Sequence, residues 1–327
     1  MSVSSKTALV ACMRNEGPFI VEWVAYHRVI GFDRIVICSN DCTDGSDALL
    51  DALDRANVIT HLPHDIPDGD TPQDSGIRTA FATLEQSDIE WIAHIDADEF
   101  LNIGHGAGKV TDLLAVAGMG DVIALPWWGF GDSGHIHWPG DILSKFTMAE
   151  PAPSEARAKF KSMFRFRKFT HANDHMPTGP KVSVPDVRSA NGEQLSDEGL
   201  YDKKRAKYRP LELALCPEAS CINHYAVPSR DAFLMKNDRG DGQGKVTDKY
   251  YLGSRWHEIA NQNGAPNLSI QRHLSATQSE IARLRAIPEI ADAEAACQVW
   301  FAERCKTLLT DAQIAKWSKP HIRSARA

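Results

Sequence analysis

The first 130 residues of this 327-residue chain alternate between short apolar runs and amphipathic segments, and this alternation limits the possible folds. Thr7–Met13 is apolar without the every-second-residue pattern of a half-exposed strand, which predicts a strand buried on both faces. The next segment has apolar residues at helical spacing, and Gly31 follows it where glycine commonly ends helices. Strands that alternate with crossover helices form parallel sheets. We therefore predict a doubly wound α/β fold.

Further strands are predicted at residues 34–38, 58–60, 90–95 and 122–126, with helices that begin near residues 44 and 72. Residues 127–230 are rich in aromatic residues, histidine, proline and glycine, and they contain no long helical pattern. From about residue 267 the pattern is helical again, with two apolar stripes that we expect to pack on the domain; dimerisation through them is the alternative. The predicted division is a domain over 1–255, with halves at 1–130 and 131–255, and a helical extension over 256–327.

The composition excludes some classes of protein. A net charge of -7 argues against a nucleic-acid binder, because such proteins usually present a basic surface. The apolar run near the N-terminus is too short for a signal peptide or a membrane span, so we expect a cytoplasmic protein or one peripheral on the inner face of a membrane. The seven cysteines lack zinc-knuckle spacing, which favours reduced thiols.

The acidic stretch Asp96-Ala97-Asp98-Glu99 is the most informative motif. It follows the predicted strand at 90–95, and ligands bind at the carboxyl ends of strands in open α/β sheets. Crowded carboxylates repel one another unless a cation or a shared proton offsets the repulsion. Oxygen ligands at this spacing suit Mg²⁺ or Mn²⁺ that bridges diphosphate oxygens. The alternative interpretation is an acidic loop that caps a helix.

Two other polar clusters, at residues 14–16 and 40–45, follow the first and second strands and are expected at the same edge of the sheet. Such groups can bind a base and a ribose, although each cluster taken singly is also typical of turns. A dinucleotide-binding dehydrogenase would need G-x-G-x-x-G directly after the first strand, where this chain has Arg14-Asn15-Glu16-Gly17-Pro18. The glycine-rich runs at 104–109 and 240–245 lack that context and the P-loop spacing.

Residues 159–168 form a basic and aromatic segment. If it is a strand, Lys159, Lys161, Arg165 and Arg167 face one side. They then form either a basic wall for a diphosphate or an anionic acceptor, or a solvated face over an aromatic core. Both interpretations stay open. Among the 13 histidines, His224 is singled out because it follows an apolar run and begins the segment 224–227.

Taken together, the motifs resemble the nucleotide-sugar half of family-2-like glycosyltransferases, and more narrowly the bacterial branch akin to the glycosyltransferase family 92 domain. The resemblance rests on Ala-Cys-Met-Arg-Asn-Glu at 11–16, Asn-Asp-Cys-Thr-Asp-Gly-Ser at 40–46 and Trp-Ile-Ala-His-Ile-Asp-Ala-Asp-Glu-Phe at 91–100. It continues through 128–135 and 223–236 and closes at Arg239-Gly240. It covers roughly residues 7–245 and leaves the helical tail out.

The resemblance implies a GT-A fold, which is Rossmann-like with a mostly parallel sheet and an irregular acceptor half. It also implies Mn²⁺ or Mg²⁺ and a nucleotide-diphospho-sugar donor, UDP- or GDP-linked. Asp96 would approach the ribose or the metal, Asp98 would ligate the metal, and His224 would contact the metal or the diphosphate. Residues expected around the nucleoside are Ala11, Arg14, Asn15, Asn40 and Asp41, with Arg78 as a further donor-site candidate.

On this hypothesis, a metal on Asp98 assists departure of the nucleoside diphosphate, and Lys161, Arg165 or Lys236 add positive charge. A base deprotonates the acceptor hydroxyl, which belongs to a glycan, a polysaccharide or a lipid-linked molecule. The sequence does not choose among four candidates for that base: Asp132, His135, His175 and Asp186. Two alternatives remain: a non-catalytic protein that binds nucleotide sugars or glycans, and a metal-dependent nucleotidyltransferase or phosphohydrolase.

Overall fold

The computed structural model describes residues 5–118, 120–201, 207–240, 244 and 248–318. The strands are β1 Thr7–Met13, β2 Arg34–Ser39, β3 Thr60–Pro63, β4 Trp91–His94, β5 Glu99–Ile103, β6 Val122–Gly129, β7 Met148–Ala149, β8 Phe160–Arg165, β9 Phe169–Ala172, β10 Pro177–Pro180, β11 Val187–Ser189, β12 Gln194–Leu195, β13 Ser220–His224 and β14 Ala265–Pro266. The helices are α1 Gly17–Ile30, α2 Ser46–Arg55, α3 Pro72–Leu84, α4 Val110–Ala117, α5 Leu211–Ala214, α6 Arg230–Arg239, α7 Arg255–Ala260, α8 Leu274–Arg285, α9 Pro288–Leu308 and α10 Asp311–Lys316.

The central sheet has the order β12-β11-β6-β8-β4-β1-β2-β3. Strands β3, β2, β1 and β4 are mutually parallel, and β8 runs antiparallel between β4 and β6. Strand β13 continues the sheet beside the end of β6 and pairs with β5. Apolar cores lie on both faces, with α1 and α2 on one side and α3 on the other. This arrangement confirms the predicted doubly wound, mostly parallel α/β sheet.

Helix α1 shows why the sequence pattern was informative. It begins at Gly17-Pro18, where the missing proline N–H is not needed, and it ends before Gly31. Gly31 adopts φ 101°, a left-handed conformation that glycine accepts without strain, and its N–H bonds to the Arg28 carbonyl.

Two predicted details of the sheet were wrong. The third strand begins at Thr60 rather than Val58, because the Val58 N–H bonds to the Leu53 carbonyl and so belongs to the turn that leaves α2. Strand β5 was missed, since the acidic motif beside it was interpreted as the start of a loop. Asp96-Ala97-Asp98 in fact lies in a short turn between β4 and β5, and Glu99 is the first residue of β5.

The C-terminal helices pack on the domain, as predicted. Helix α8 lies against α1, and α9 lies against α1 and α2. Their inward residues Leu284, Ile290 and Cys297 are fully buried in the same core as β1. A Cβ atom added at Gly17 would lie 2.5 Å from the Cys297 Cβ, so glycine permits this close approach. The homodimer stays a prediction. Within the described ranges, none of the helices has both the length and the apolar character needed to cross a bilayer.

Candidate functional site

A cleft of about 1180 Å³, partly open to solvent, lies at the carboxyl edge of the sheet. The ends of β1, β4, β6 and β13 reach it, and α6 borders it. This is the edge at which ligands bind in open α/β sheets. The polar and aromatic residues that line it include Arg14, Asn40, Gln73, Asp96, Asp98, Trp127, Lys159, Asp174, His175, His224, Lys236, Arg239 and Trp256.

The carboxylates of the acidic motif are each paired with a lysine. Asp96 Oδ2 lies 3.1 Å from Lys161 Nζ, and Asp98 Oδ2 lies 2.7 Å from Lys236 Nζ. The fully buried Glu99 has one carboxylate oxygen 3.3 Å from the same Lys161 ammonium. The like-charge repulsion that the sequence predicts is therefore offset by two protein cations.

Lys161 lies beneath the cleft rather than on its wall. Its side chain is fully buried, and its ammonium also bonds to the Asp174 carboxylate at 2.7 Å and to the Asp174 carbonyl at 2.8 Å. Gln73, at the start of α3, donates to both Asp96 and Asp174. The result is a closed ionic network that holds the β4–β5 turn against α3 and the β9–β10 hairpin.

Asp98 and His224 lie next to each other on the wall of the cleft, with side chains that are 20% and 11% exposed. Burial alone would raise the pKa of Asp98, but Lys236 and His224 outweigh it and hold that pKa at about 2. Burial lowers the pKa of His224 to about 4, although Asp98 opposes the shift. At neutral pH the pair is an ionised carboxylate beside a neutral imidazole, with Asp98 Oδ1 3.8 Å from His224 Nε2.

Asp96 has a different electrostatic character. Burial raises its pKa to about 6, against the lowering effect of Lys161. Its Oδ1 accepts a hydrogen bond from Gln73, and its Oδ2 accepts one from Lys161. Asp96 lines the cleft, but both of its carboxylate oxygens already accept hydrogen bonds from the ionic network beneath it.

The donor-site residues predicted after β1 and β2 lie near one another, but only some of them line the cleft. Arg14 and Asn40 line the cleft, and the buried Arg14 Nε has no hydrogen-bond partner among the described residues. Asn15 instead bonds Thr43 through both of its amide atoms, which joins the loops after β1 and β2. Asp41 is exposed, and Ala11 is fully buried in the apolar core.

Several predicted residues are not brought to the cleft. Strand β8 is antiparallel, so Arg165 pairs with Trp91 at the amino end of β4, about 13 Å along the strand from Lys161. The alternation of basic residues also ends there, because 166–168 form a 3₁₀ turn. Arg78 is exposed on α3 and pairs with Asp70.

Of the four candidate bases, only His175 lines this cleft. Asp132 is bound by Asn261 and Asn263 and holds two loops together. His135 packs against Phe146. The Asp186 carboxylate accepts two hydrogen bonds from Arg188. Asp186 lies near the amino end of the sheet, because its carbonyl accepts a hydrogen bond from Val122 at the start of β6.

The imidazole of His175 has a defined orientation. Its Nδ1 lies 2.9 Å from the Phe160 carbonyl, which only accepts, so Nδ1 carries the proton and Nε2 is left as an acceptor. Nε2 lies 3.6 Å from Asp174 Oδ2. Burial lowers the pKa of His175 to about 4, against the opposing effect of Asp174, so the ring is neutral at pH 7.

The sequence interpretation missed several residues that line the cleft, among them Gln73, Trp127, Asp174 and Trp256. Of these four, Asp174 could have been suspected from the sequence, because it directly precedes His175, a predicted base. Trp127 packs against His224 with ring centroids 4.1 Å apart and ring planes tilted by 38°, a contact that depends on the parallel pairing of β6 with β13.

No group of three or more His, Cys, Asp or Glu side chains arranged to hold a metal ion is found in the described part of the chain. Asp98 and His224 supply two protein donors on the cleft wall. Mg²⁺ commonly uses one or two protein ligands and takes the others from substrate phosphates and water. The residues therefore fit a metal that binds together with a diphosphate.

Comparison with known proteins gives relatives from one family. A glycosyltransferase family 92 protein of Ricinus communis is 30% identical over 132 residues, which cover 39% of this chain and 23% of that protein. One from Oryza sativa subsp. japonica is 34% identical over 92 residues, covering 28% of this chain and 15% of that protein. The chain thus matches less than a quarter of the length of either relative. No family profile matches the chain.

Solved structures give more distant similarities. S. aureus TarS residues 1–349 is 16% identical and covers 49% of this chain and 47% of its own, with a TM-score of 0.32. HddC from Yersinia pseudotuberculosis is 10% identical and covers 50% of this chain and 77% of its own, with a TM-score of 0.29. The sequence relatives are plant proteins, so the bacterial branch stays a prediction. The chain is similar in sequence to glycosyltransferase family 92 proteins, which confirms the resemblance that its motifs indicate.

Proposed function

We propose that this chain is a glycosyltransferase that moves a sugar from a nucleotide-diphospho-sugar to an acceptor hydroxyl with the help of Mn²⁺ or Mg²⁺. The observation that carries the proposal is the pairing of ionised Asp98 with neutral His224 on the wall of the cleft. Both groups are in the protonation state that binds a divalent cation at neutral pH. The family similarity favours sugar transfer over other uses of such a site.

Asp98 and His224 would hold the metal. A carboxylate oxygen together with an imidazole nitrogen suits Mn²⁺, which accepts both ligand types. When bound, the ion stabilises the negative charge that grows on the departing diphosphate. Asp96 supports this site from beneath, because its hydrogen bonds to Gln73 and Lys161 hold the β4–β5 turn in place.

Two cations complete the proposed diphosphate site. The Lys236 ammonium bonds to Asp98 and to the Ala226 carbonyl, which leaves the third of its N–H groups for a diphosphate oxygen. Arg14 has a buried Nε that lacks a partner among the described residues, and a buried unsatisfied donor is costly. A diphosphate or a base that accepts from Arg14 would remove this cost.

His175 is the base we propose for the acceptor hydroxyl. Its unprotonated Nε2 accepts the proton, and the neighbouring Asp174 carboxylate stabilises the imidazolium that forms. His175 bonds to Phe160 on β8 and lies beside Trp127 on β6, whereas Arg14 and Asn40 follow β1 and β2 on the other side of β4. The acceptor would therefore enter from the Trp127 side.

A thermal-shift panel of UDP, GDP, CDP, ADP and NAD, each with and without Mn²⁺, tests the donor site. A ligand that binds the native state raises its Tm, so we expect a metal-dependent shift with one diphosphate. Asp98→Asn should abolish the metal-dependent part. Asp88→Asn, which alters an exposed carboxylate outside the cleft, is the matched control. A full shift in Asp98→Asn, or a shift with NAD alone, would refute the proposed site.

Product analysis separates the remaining functions. Sugar transfer releases a nucleoside diphosphate with free sugar or a glycoside, whereas a nucleotidyltransferase or phosphohydrolase releases monophosphate or pyrophosphate. Binding without turnover would indicate a non-catalytic protein. His175→Asn should lower kcat by roughly 10²–10⁴-fold with donor affinity unchanged, because it removes a base and not a donor contact. Unchanged kcat in this variant would exclude His175 as the base.

A further inference from the structure

Beyond His224 the cleft continues into a second cavity of about 510 Å³. The two cavities share Trp127, Lys159, His224 and Trp256, so the second opens beside the proposed metal site. None of the charged groups of this second cavity takes part in the chemistry proposed above. Its volume is sufficient for one or two sugar rings.

The Lys159 ammonium lines this cavity and, within the described ranges, lacks an anionic partner. Its ammonium lies 5.0 Å from the centroid of the Trp127 ring and 5.5 Å from that of the Trp256 ring. No carboxylate among the described residues lies within ion-pair distance of it. Burial lowers the pKa of Lys159, and the carboxylates of Asp174 and Glu99 oppose this shift. A half-buried cation held only by aromatic rings gains from an added anion.

A second donor without a partner in the described part of the chain also favours an anionic ligand in this cavity. The indole Nε1 of Trp127 is buried and has no hydrogen-bond partner among the described residues. The carboxylate of the cavity, Glu150, is already engaged, because its Oε2 lies 2.8 Å from Arg157 Nη2 and its Oε1 accepts from the Gly129 N–H. The cavity thus offers an unpaired cation and an unpaired donor, whereas its carboxylate is satisfied.

We propose that this cavity binds the acceptor, that the acceptor is an acidic saccharide, and that Lys159 recognises its carboxylate or phosphate group. Trp127 Nε1 donates to the same group or to a neighbouring oxygen, and the half-buried ring of Trp256 packs against the sugar ring. The assignment of this ligand as acceptor rests on the proposed function, because it takes Asp98 and His224 as the donor end of the cleft. Recognition of an acidic saccharide does not depend on that assignment.

The test measures binding of trigalacturonate and of its fully methyl-esterified, neutral form by isothermal titration, with and without UDP and Mn²⁺. We expect the acid to bind at least about tenfold more tightly than the ester, the effect of one charge-assisted contact. Lys159→Met keeps most of the stem and should abolish this preference while leaving UDP affinity within about twofold. Trp127→Phe keeps an aromatic ring and should weaken acid binding by about threefold. Lys6→Met, at an exposed lysine, is the matched control.

Two results would overturn the proposal, and a third would separate it from the proposed donor site. Equal binding of acid and ester by the native chain, or binding of neither, would show that the cavity does not recognise an acidic saccharide. Weakened UDP binding in Lys159→Met, with the acid preference intact, would assign Lys159 to the donor diphosphate. Failure of UDP to bind the native chain while the acid preference persists would contradict the proposed donor site but support the acidic-saccharide site.

Discussion

Replacing Lys161 with methionine should destabilise the fold more than any surface lysine substitution. The ammonium lies 3.1 Å from Asp96, 3.3 Å from Glu99 and 2.7 Å from Asp174, and its side chain is fully buried. Methionine keeps much of the apolar stem but removes the charge. The three carboxylates then face one another without the cation that offsets their repulsion.

The magnitude follows from burial. Removing one partner of a buried ion pair costs about 3–5 kcal/mol, because it leaves an uncompensated charge. Here Glu99 is fully buried, whereas the side chains of Asp96 and Asp174 are 33% and 34% exposed, so water solvates part of their charge. We therefore expect Lys161→Met to lower the free energy of unfolding by about 3–4 kcal/mol at pH 8, measured by urea denaturation.

The loss should depend on pH with a defined sign. Without Lys161, the carboxylates have pKa values raised above those of the unfolded chain, so the native state of the variant binds more protons. Its stability must then fall as pH rises and recover as pH falls. Burial already raises the pKa of Asp96 to about 6 and that of Glu99 well above its usual value, even with Lys161 present. The difference from the native chain should be clearly smaller at pH 5 than at pH 8.

Lys6→Met is the control, because Lys6 lies 3.1 Å from Asp33, the same distance as Lys161 from Asp96, but its side chain is 50% exposed. An exposed pair contributes only about 0.2–1 kcal/mol. If Lys161→Met loses no more than Lys6→Met, or if its loss grows as pH falls, the charge-network explanation is wrong.

Three further predictions concern the tail, the donor site and a backbone contact. Leu284→Ala should lower the free energy of unfolding by about 2–5 kcal/mol in urea denaturation, because Leu284 is fully buried. Val299→Ala, at a 63% exposed position, should lower it by less than about 0.5 kcal/mol. Equal losses in the two variants would contradict packing of the tail on the domain. Mn²⁺-dependent UDP binding, followed by titration calorimetry, should persist at pH 5 and be lost as pH falls through about 4, where protonation of His224 removes its lone pair; unchanged Mn²⁺-dependent binding in His224→Phe at pH 7 would exclude His224 as the ligand. Gly104→Ala should lower stability by about 1–3 kcal/mol in the same denaturation assay, since the new Cβ would meet the Glu218 carbonyl, whereas Gly129→Ala, with its nearest atom at 3.5 Å, should change stability less.

Local patterns were enough to predict most of the α/β scaffold. The first two strands, the first three helices and the two long tail helices lie close to their predicted positions, because buried strands and amphipathic helices have distinct residue periods. The acidic motif was also placed at the right edge, since the carboxyl ends of parallel strands share one edge. Turns were less predictable: the N–H groups of residues 57 and 58 bond back to carbonyls of α2, which a residue period does not reveal.

The assembly of the site depended on tertiary structure. Lys161 and Arg165 look equivalent in an alternating basic segment, yet antiparallel pairing of β8 puts one beneath the acidic motif and the other at the opposite edge. Asp98 meets His224 and Lys236 across more than 120 residues, through β13 and α6. Likewise, of Asp132, His135, His175 and Asp186, only His175 is folded into the cleft. Residue type and spacing specify which chemistry a segment can supply, but distances between segments arise from strand pairing and packing, which the local sequence does not encode.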